Sequence, residues 1–164
     1  MFNPLSLIIP VLVLIPNLLY FLLTPTKIPA NPPREPVILV VFERLGLFGS
    51  IISPLFFTSF ITGLPELIAA FGMMFMLLIY YICWIRFFSH RREYRWLYEP
   101  LFFVPVPMAI FPVVYFLLGS AITHSIPLLI SSLVFAGGHI PISLLQYQHV
   151  GKDLPGKQRL GCEA

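Results

Sequence analysis

Long apolar runs constrain this chain more than any other feature of its sequence. Few or no charged residues interrupt the five runs, which cover residues 5–23, 37–62, 65–88, 101–118 and 126–145. A helix needs roughly 20 apolar residues to cross the hydrocarbon core of a bilayer. The runs do not alternate between apolar and polar residues, which favours helices over the strands of a membrane barrel. The sequence therefore predicts an all-α bundle of five transmembrane helices, folded as a single domain over residues 1–164.

The composition excludes most soluble classes of protein. Hydrophobic residues make up 58% of the chain and charged residues 10%, whereas roughly 25% of an average globular domain is charged. A soluble fold of this size could not bury so much apolar surface. No Cys/His spacing resembles a zinc site. We therefore expect the lipid bilayer as the environment, and neither a metal, a cofactor nor a nucleic acid as a ligand. The N-terminal residues lack a basic flank and a cleavage site, so we expect the first run to be a retained span.

The connections between the runs carry recognisable stop and start signals. Residues 24–36 contain five prolines, and a helix cannot continue through them. Residues 63–66 predict a tight turn, with Pro65 at the first helical position and Glu66 beside the positive end of the helix dipole. Ser125 is expected to cap the fifth helix. These signals support the division into five spans.

The ten lysines and arginines predict the orientation in the membrane. With five spans, all of them fall on one side: in or beside residues 24–36, in or beside residues 89–100, and in the C-terminal tail. Basic residues near the ends of spans favour the cytoplasmic side. The sequence therefore predicts a multi-pass protein of the cell membrane, with an external N-terminus and a cytoplasmic C-terminus.

Four ionisable residues predict a polar cluster within the membrane: Glu43, Arg44, Arg86 and His139. Charged groups at membrane depth are costly, so they usually face the interior of a bundle or a cavity. If the second helix begins at Val37, Glu43 lies about 9 Å below the cytoplasmic boundary, at a depth similar to that of His139. Alternatively, residues 37–44 lie at the interface, where their side chains reach the headgroups. His139 could also serve as a structural hydrogen-bonding group between helices.

A face of small residues follows Glu43 along the second run. Gly46, Ser50 and Ser53 recur at steps of four and three, and such small residues permit close approach of two helices. We interpret them as a helix-packing seam, and we expect this seam to form the contact in a homo-oligomer or with a membrane partner subunit. The same face could instead form the polar wall of a cavity.

The connection after the third run mixes basic and aromatic residues. The simplest interpretation is an aromatic belt with cytoplasmic anchors. A narrower interpretation makes Arg91, Arg92 and Arg95 candidate contacts for the headgroup of an anionic lipid.

Three segments resemble a family of small uncharacterised bacterial polytopic membrane proteins. They are Tyr-Ile-Cys-Trp-Ile-Arg-Phe-Phe at residues 81–88, Val-Pro-Val-Pro-Met-Ala at 104–109, and Gly-His-Ile at 138–140. The resemblance implies that these segments belong together in one membrane domain. It implies no substrate and no catalytic residue.

The sequence contains no recognisable catalytic motif. The leading hypothesis is a small transporter-like protein or an accessory subunit of a membrane complex. The alternative is a membrane-embedded enzyme acting on a lipid or isoprenoid, with His139 as the base and Arg91, Arg92 and Arg95 holding an anionic headgroup. The enzyme requires these groups to converge on one pocket, whereas the transporter requires a cavity or a packing seam and tolerates their separation.

Overall fold

The computed structural model describes residues 7–29, 31–57 and 61–152. The regular structure in these residues is helical, as the apolar runs predict, and it comprises five α-helices and two short 3-10 helices. The α-helices are α1 (Ile8–Leu22), α2 (Val37–Ile52), α3 (Leu64–Ser89), α4 (Pro107–Thr123) and α5 (Ile126–Lys152). The 3-10 helices are Ser53–Phe56 and Tyr94–Leu97. Lys157 and Arg159, which contribute to the predicted orientation, and residues 5–6 and 58–60 of the predicted spans lie outside the described residues.

Three helical stretches are long and apolar enough to cross a membrane: Val37–Phe56, Leu64–Ser89 and Ile126–Val150. The other two α-helices, Ile8–Leu22 and Pro107–Thr123, are apolar but shorter. The outer surface of the bundle is also apolar. Leu45, Phe48 and Phe71 are among the large hydrophobic side chains that are more than half exposed. Apolar residues on both the inside and the outside are what a lipid environment requires of a helical protein.

Two predicted helix starts are confirmed. Pro65 stands in the first turn of α3, together with Glu66 as its acidic residue. At the start of α5, the Leu128 backbone N–H donates a 3.2 Å hydrogen bond to Ser125 Oγ. Such a side-chain bond satisfies one of the backbone donors that the first turn of a helix leaves free.

The predicted second span is too long. We expected one run over residues 37–62, but α2 ends at Ile52 and continues only as the 3-10 helix Ser53–Phe56. Pro54 stands at the start of this 3-10 helix. Because proline has no backbone N–H, it cannot donate the next hydrogen bond of the α-helix, so the helix tightens and then ends.

The predicted fourth span is displaced along the chain. We expected residues 101–118, whereas α4 runs from Pro107 to Thr123. Leu101 and Val104 instead exchange two backbone hydrogen bonds across a tight turn. Pro107 then occupies the first turn of α4, where its missing N–H has no cost and its fixed φ suits the helix.

Helix α4 lies at the centre of the bundle. It packs between α3 and α5, while α2 packs on α5 and α1 packs on α3 and α4. Most of its side chains are buried, including Phe116, which is 0% exposed. Helices α1 and α2 make little contact with each other. The space between α1 and the α2–α5 pair is therefore available for a cavity.

Successive helices run in opposite directions. At one end of the bundle, here called the basic end, Thr26 and the loop after α3 are joined by backbone hydrogen bonds from Thr26 N to Arg92 O and from Tyr94 N to Thr26 O. Lys27 forms an ion pair with Glu93 at the same place, and its hydrogen bond lowers the pKa of that carboxyl. At the opposite end, Glu66 Oε1 lies 3.2 Å from His124 Nε2.

Candidate functional site

Glycines bring α2 and α5 into close contact. A Cβ atom added to Gly46 would lie 2.1 Å from the backbone nitrogen of Phe135. On the facing helix, a Cβ added to Gly138 would lie 2.3 Å from the backbone nitrogen of Glu43 and 2.5 Å from the carbonyl oxygen of Leu39. Real Cβ atoms do not approach backbone atoms so closely, so the two helix backbones can touch only where no side chain intervenes.

This close approach places Glu43 beside His139. Glu43 Oε1 lies 2.6 Å from His139 Nδ1, and the two atoms are hydrogen-bonded. The imidazole also stacks on the ring of Phe135, with 4.7 Å between the ring centroids. The Glu43 and His139 side chains are 22% and 26% exposed. The stacking and the hydrogen bond together fix the orientation of the imidazole.

A cavity of about 330 Å³ lies next to this pair. Its volume is within the range of small-molecule sites, roughly 300–1,000 Å³. All five helices and the loop after α3 contribute to its wall, in the half of the bundle nearer the basic end. The lining residues are Val13, Leu14, Asn17, Tyr20, Phe21, Glu43, Leu47, Tyr80, Trp84, Leu97, Tyr98, Val106, Met108, Ala109, Pro112, Phe135, His139 and Ser143.

Sequence reasoning missed several of the polar groups in this wall. The Asn17 side-chain amide donates a 2.8 Å hydrogen bond to the Tyr80 hydroxyl, which joins α1 to α3. The same amide donates a 2.8 Å bond to the Val13 carbonyl one turn earlier. Asn17 is the most polar residue of the first apolar run, which contains no charged residue. A polar side chain at membrane depth usually faces the bundle interior, so this signal could have identified it.

Hydrogen bonds at the basic end hold the loop after α3 against α5. The Tyr98 hydroxyl lies 3.2 Å from the Tyr94 hydroxyl, which donates a 3.3 Å bond to Gln146 Oε1. Gln146 Nε2 in turn donates a 3.0 Å bond to Glu35. Burial raises the pKa of both Tyr94 and Tyr98 above the ordinary value. Tyr98 therefore lines the cavity as a neutral hydroxyl, and the network fixes its position.

Two of the four residues in the predicted cluster, Arg44 and Arg86, are not among the described residues that line the cavity beside Glu43 and His139. Arg44 is exposed, because adjacent residues on a helix do not share a face. Arg86 donates a 3.0 Å hydrogen bond to the Pro100 carbonyl and a second bond to the Glu99 carbonyl. Its guanidinium also lies 5.3 Å from the centre of the Trp96 ring. The loop after α3 folds back over Arg86 and offers these partners nearby.

The predicted packing seam lies against the chain's own α5. Gly46 and Ser50 are buried, and Ser53 is half-buried. Gly46 faces Phe135, and a Cβ added to Gly49 would lie 2.3 Å from Ser131 Oγ. Within the chain, α5 therefore occupies the face at Gly46 and Ser50, and contact of this seam with a second copy or a partner subunit stays a prediction. The physical basis of the prediction, close helix approach at small residues, is retained.

The three candidate headgroup arginines lie outside the cavity wall. Arg95 Nε is 3.0 Å from Glu93 Oε2, and its guanidinium lies 5.2 Å from the centre of the Trp96 ring. Arg91 is exposed and Arg92 half-buried. The backbone carbonyls of both accept hydrogen bonds from Thr26. Their contact with an anionic lipid stays a prediction.

The described residues contain no group of three or more His, Cys, Asp or Glu side chains that could hold a metal ion. Cys83, the cysteine within these residues, is buried in α3. The chemistry available in the described cavity wall is therefore that of one carboxylate, one imidazole, one amide, hydroxyl groups and aromatic rings.

No protein-family model, curated protein or solved structure matches this chain. The resemblance to small bacterial membrane proteins gains no support from these comparisons and stays a prediction. The geometry of the cavity is therefore the basis on which a function can be proposed.

Proposed function

We propose that this chain is a small transporter-like protein, acting alone or as an accessory subunit of a membrane complex, whose cavity holds one small molecule with an apolar body. The observation that carries the proposal is the cavity of about 330 Å³ between the five helices, with the Glu43–His139 pair in its wall. Carboxylates and imidazoles at membrane depth usually mark a substrate or proton pathway. The binding residues are Glu43 and His139 together with the aromatic residues of the lining.

The proposal includes the topology of five transmembrane helices in the cell membrane, with the N-terminus outside and the C-terminus cytoplasmic. Two observations support it. The two connections that are rich in basic residues are joined at one end through Thr26 and Glu93, and the Glu66–His124 contact lies at the other end. Helix α4 is short, but α3 and α5 cover it on both sides, so it can cross within the bundle without a full-length lipid-facing surface.

The alternative function, an enzyme acting on a lipid or isoprenoid, has less support. It requires His139 and the arginines at positions 91, 92 and 95 to converge on one pocket. His139 lines the cavity, but none of the described lining residues is an arginine. An anionic headgroup in the cavity would therefore find no arginine in the described part of its wall and would face the Glu43 carboxylate. The separation of His139 from these three arginines favours the transporter-like function, which does not require them to share a pocket.

A cavity-filling variant tests the proposal. Ala109 lines the cavity and is 3% exposed, so Ala109→Phe places a phenyl ring in the space of the small molecule. Ala121 lies on the same helix and is exposed, so Ala121→Phe is the matched control. Native mass spectrometry of the full chain from mild detergent should detect one small-molecule adduct per chain. We expect the adduct to survive in Ala121→Phe and to fall at least about tenfold in Ala109→Phe, equivalent to about 1.4 kcal/mol of binding.

Equal adducts on both variants, or none on the wild type, would contradict the proposal.

The topology has its own test in a Cys162→Ser background, in which the buried Cys83 remains. A membrane-impermeant maleimide applied to intact cells should label Thr62→Cys and leave Asn31→Cys unlabelled, since residues 62 and 31 lie in connections at opposite ends. Labelling of both positions from outside would contradict the five-span arrangement.

A further inference from the structure

The charges around the cavity favour a positively charged occupant. Glu43 supplies the carboxylate of the wall, and no lysine or arginine side chain is among the described residues that line it. Arg86, on the same helix as the lining residue Trp84, is held by the carbonyls of Glu99 and Pro100. A carboxylate in a region of low dielectric attracts a cation strongly and repels an anion.

The aromatic residues of the wall favour the same class of ligand. Tyr20, Phe21, Tyr80, Trp84, Tyr98 and Phe135 line the cavity. The faces of aromatic rings attract cations, and quaternary ammonium groups in particular are recognised by sites built from several such rings. The apolar remainder of the wall, which includes Val13, Leu47 and Met108, suits an organic body attached to the charge.

The Glu43–His139 pair adds a coupling to protons. The titratable groups that face the cavity are Tyr20 from α1, Glu43 from α2, Tyr80 from α3, Tyr98 from the following loop and His139 from α5. Helix α4 contributes only Met108, Ala109 and Pro112, and Val106 precedes it. With His139 protonated, the pair carries no net charge. A cation that enters next to it repels the proton on the imidazole, because like charges disfavour each other. When that proton leaves for the solvent, the bound cation alone balances the negative charge of Glu43.

We propose that the cavity binds a monovalent organic cation with an apolar body, in a one-to-one exchange for the proton that His139 holds beside Glu43. This inference rests on the proposed function, because it names the class of molecule that the cavity would hold. In this proposal the Glu43 side chain serves both states. It accepts a hydrogen bond from the imidazolium in one state and faces the cation in the other.

Three probes of matched shape test the choice of ligand. They are benzyltrimethylammonium, its uncharged carbon analogue neopentylbenzene, and the anion phenylmethanesulfonate. Each is titrated calorimetrically into the full chain in phosphatidylcholine nanodiscs, with empty nanodiscs subtracted. We expect saturable binding of benzyltrimethylammonium at one per chain, and binding at least about tenfold weaker for the other two probes. Below neutral pH we expect release of one proton per cation bound, and an affinity that rises by up to about tenfold per pH unit.

Two cavity variants and one control variant assign the effect to residues. Glu43→Gln should bind benzyltrimethylammonium at least about tenfold more weakly. His139→Gln should still bind it, but its affinity should no longer rise with pH between about 5 and 8. Glu66→Gln removes a carboxylate that also faces a histidine, but at the opposite end of the bundle. It should bind as the wild type does.

Several results would overturn this inference. The first is that neopentylbenzene binds as tightly as benzyltrimethylammonium and that Glu43→Gln binds the cation as the wild type does. The proposed function would then stand, with the cavity as a site for neutral molecules. Tighter binding of the anion, or unchanged pH dependence in His139→Gln, would also overturn it. If Glu43→Gln fails to fold, the pH dependence of cation binding by His139→Gln tests the inference instead. The proposed function fails separately, through the adduct experiment with Ala109→Phe.

Discussion

Two contacts between a carboxylate and an imidazole join helices at different ends of this bundle. Glu43 meets His139 at 2.6 Å, and Glu66 meets His124 at 3.2 Å. The first imidazole is 26% exposed and stacks on Phe135. The second is 63% exposed, on the turn between α4 and α5, where His124 adopts a left-handed conformation with φ 46°. The same two functional groups therefore stand in very different surroundings.

The difference shows that position, rather than residue type, gives the first pair its role. Glu66 lies in the first turn of α3, where the positive end of the helix dipole stabilises a carboxylate without further help. Glu43 lies within α2, beyond the first turn, and has no such stabilisation. Its side chain instead contacts His139 across the interface between α2 and α5. Tests of the comparison should therefore disturb the two pairs separately.

The largest effect is expected from Gly138→Ala. The new Cβ would lie 2.3 Å from the backbone nitrogen of Glu43, and a helix backbone cannot move aside as a flexible side chain can. Overpacking of this kind costs about 2–3 kcal/mol, which corresponds to a melting temperature lower by about 5–10 °C for a chain of this size. The shift is measured by thermal unfolding in detergent. Separation of α2 from α5 should also abolish binding of benzyltrimethylammonium.

Gly137→Ala is the matched control for this prediction. A Cβ on Gly137 meets only Phe42 Cδ2, at an ordinary distance of 3.9 Å. Alanine is a better helix former than glycine by up to about 1 kcal/mol, so this variant should melt at the wild-type temperature or above it. Equal loss of stability in the two variants would show that close contact of α2 with α5 does not explain the effect.

A smaller effect is expected from double-mutant cycles on the two pairs. The cycle of Glu43→Gln and His139→Gln should give a coupling free energy of about 1–2 kcal/mol, because both side chains are only partly exposed and the imidazole is fixed by stacking on Phe135. The cycle of Glu66→Gln and His124→Gln should give at most about 0.5 kcal/mol, because the His124 side chain is 63% exposed. Denaturant unfolding of the single and double variants measures both values. A larger coupling at Glu66 would reverse the ranking of the two pairs.

The smallest effect concerns a third carboxylate, Glu93, whose partner Lys27 is 73% exposed. The hydrogen bond from Lys27 lowers the pKa of Glu93 below its ordinary value of 4.5. The folded state therefore gains stability above pH 4.5, and this gain is lost as the pH falls through the lowered pKa. Lys27→Met should melt slightly below the wild type at pH 7, and the difference should shrink towards zero at strongly acid pH. If the melting temperatures of the wild type and Lys27→Met differ equally at pH 7 and at strongly acid pH, the ion pair does not explain the effect.

Much of the fold could be predicted from the sequence because a bilayer permits few solutions. Apolar runs must form helices, since every backbone group must be satisfied within the segment. The starts of α3 at Pro65 and of α5 after Ser125 follow from local rules of helix capping. The errors at α2 and α4 also have local causes. Pro54 ends α2 before the end of the predicted span. The turn between Leu101 and Val104 moves the start of α4 beyond the start of the predicted span.

The candidate site was less predictable. The sequence indicated Glu43 and His139 because an ionisable residue at membrane depth requires a partner. It could not indicate that Arg86 would turn to the carbonyls of Glu99 and Pro100, because that choice depends on how the loop after α3 folds back. The contribution of Tyr80 and Trp84 to the cavity had no signal either. Aromatic residues in an apolar helix look alike whether they face lipid, core or cavity.

The sequence by itself determined the apolar character of the helices, the helical class of the structure and the small-residue face on which α2 packs closely. These follow from composition and from spacings within single helices. The tertiary structure alone decided which faces meet. It directed the seam at Gly46 to the chain's own α5, placed α4 at the centre and left a cavity beside Glu43. The physical reason is that packing depends on the relative rotation and depth of several helices, and no single segment carries that information.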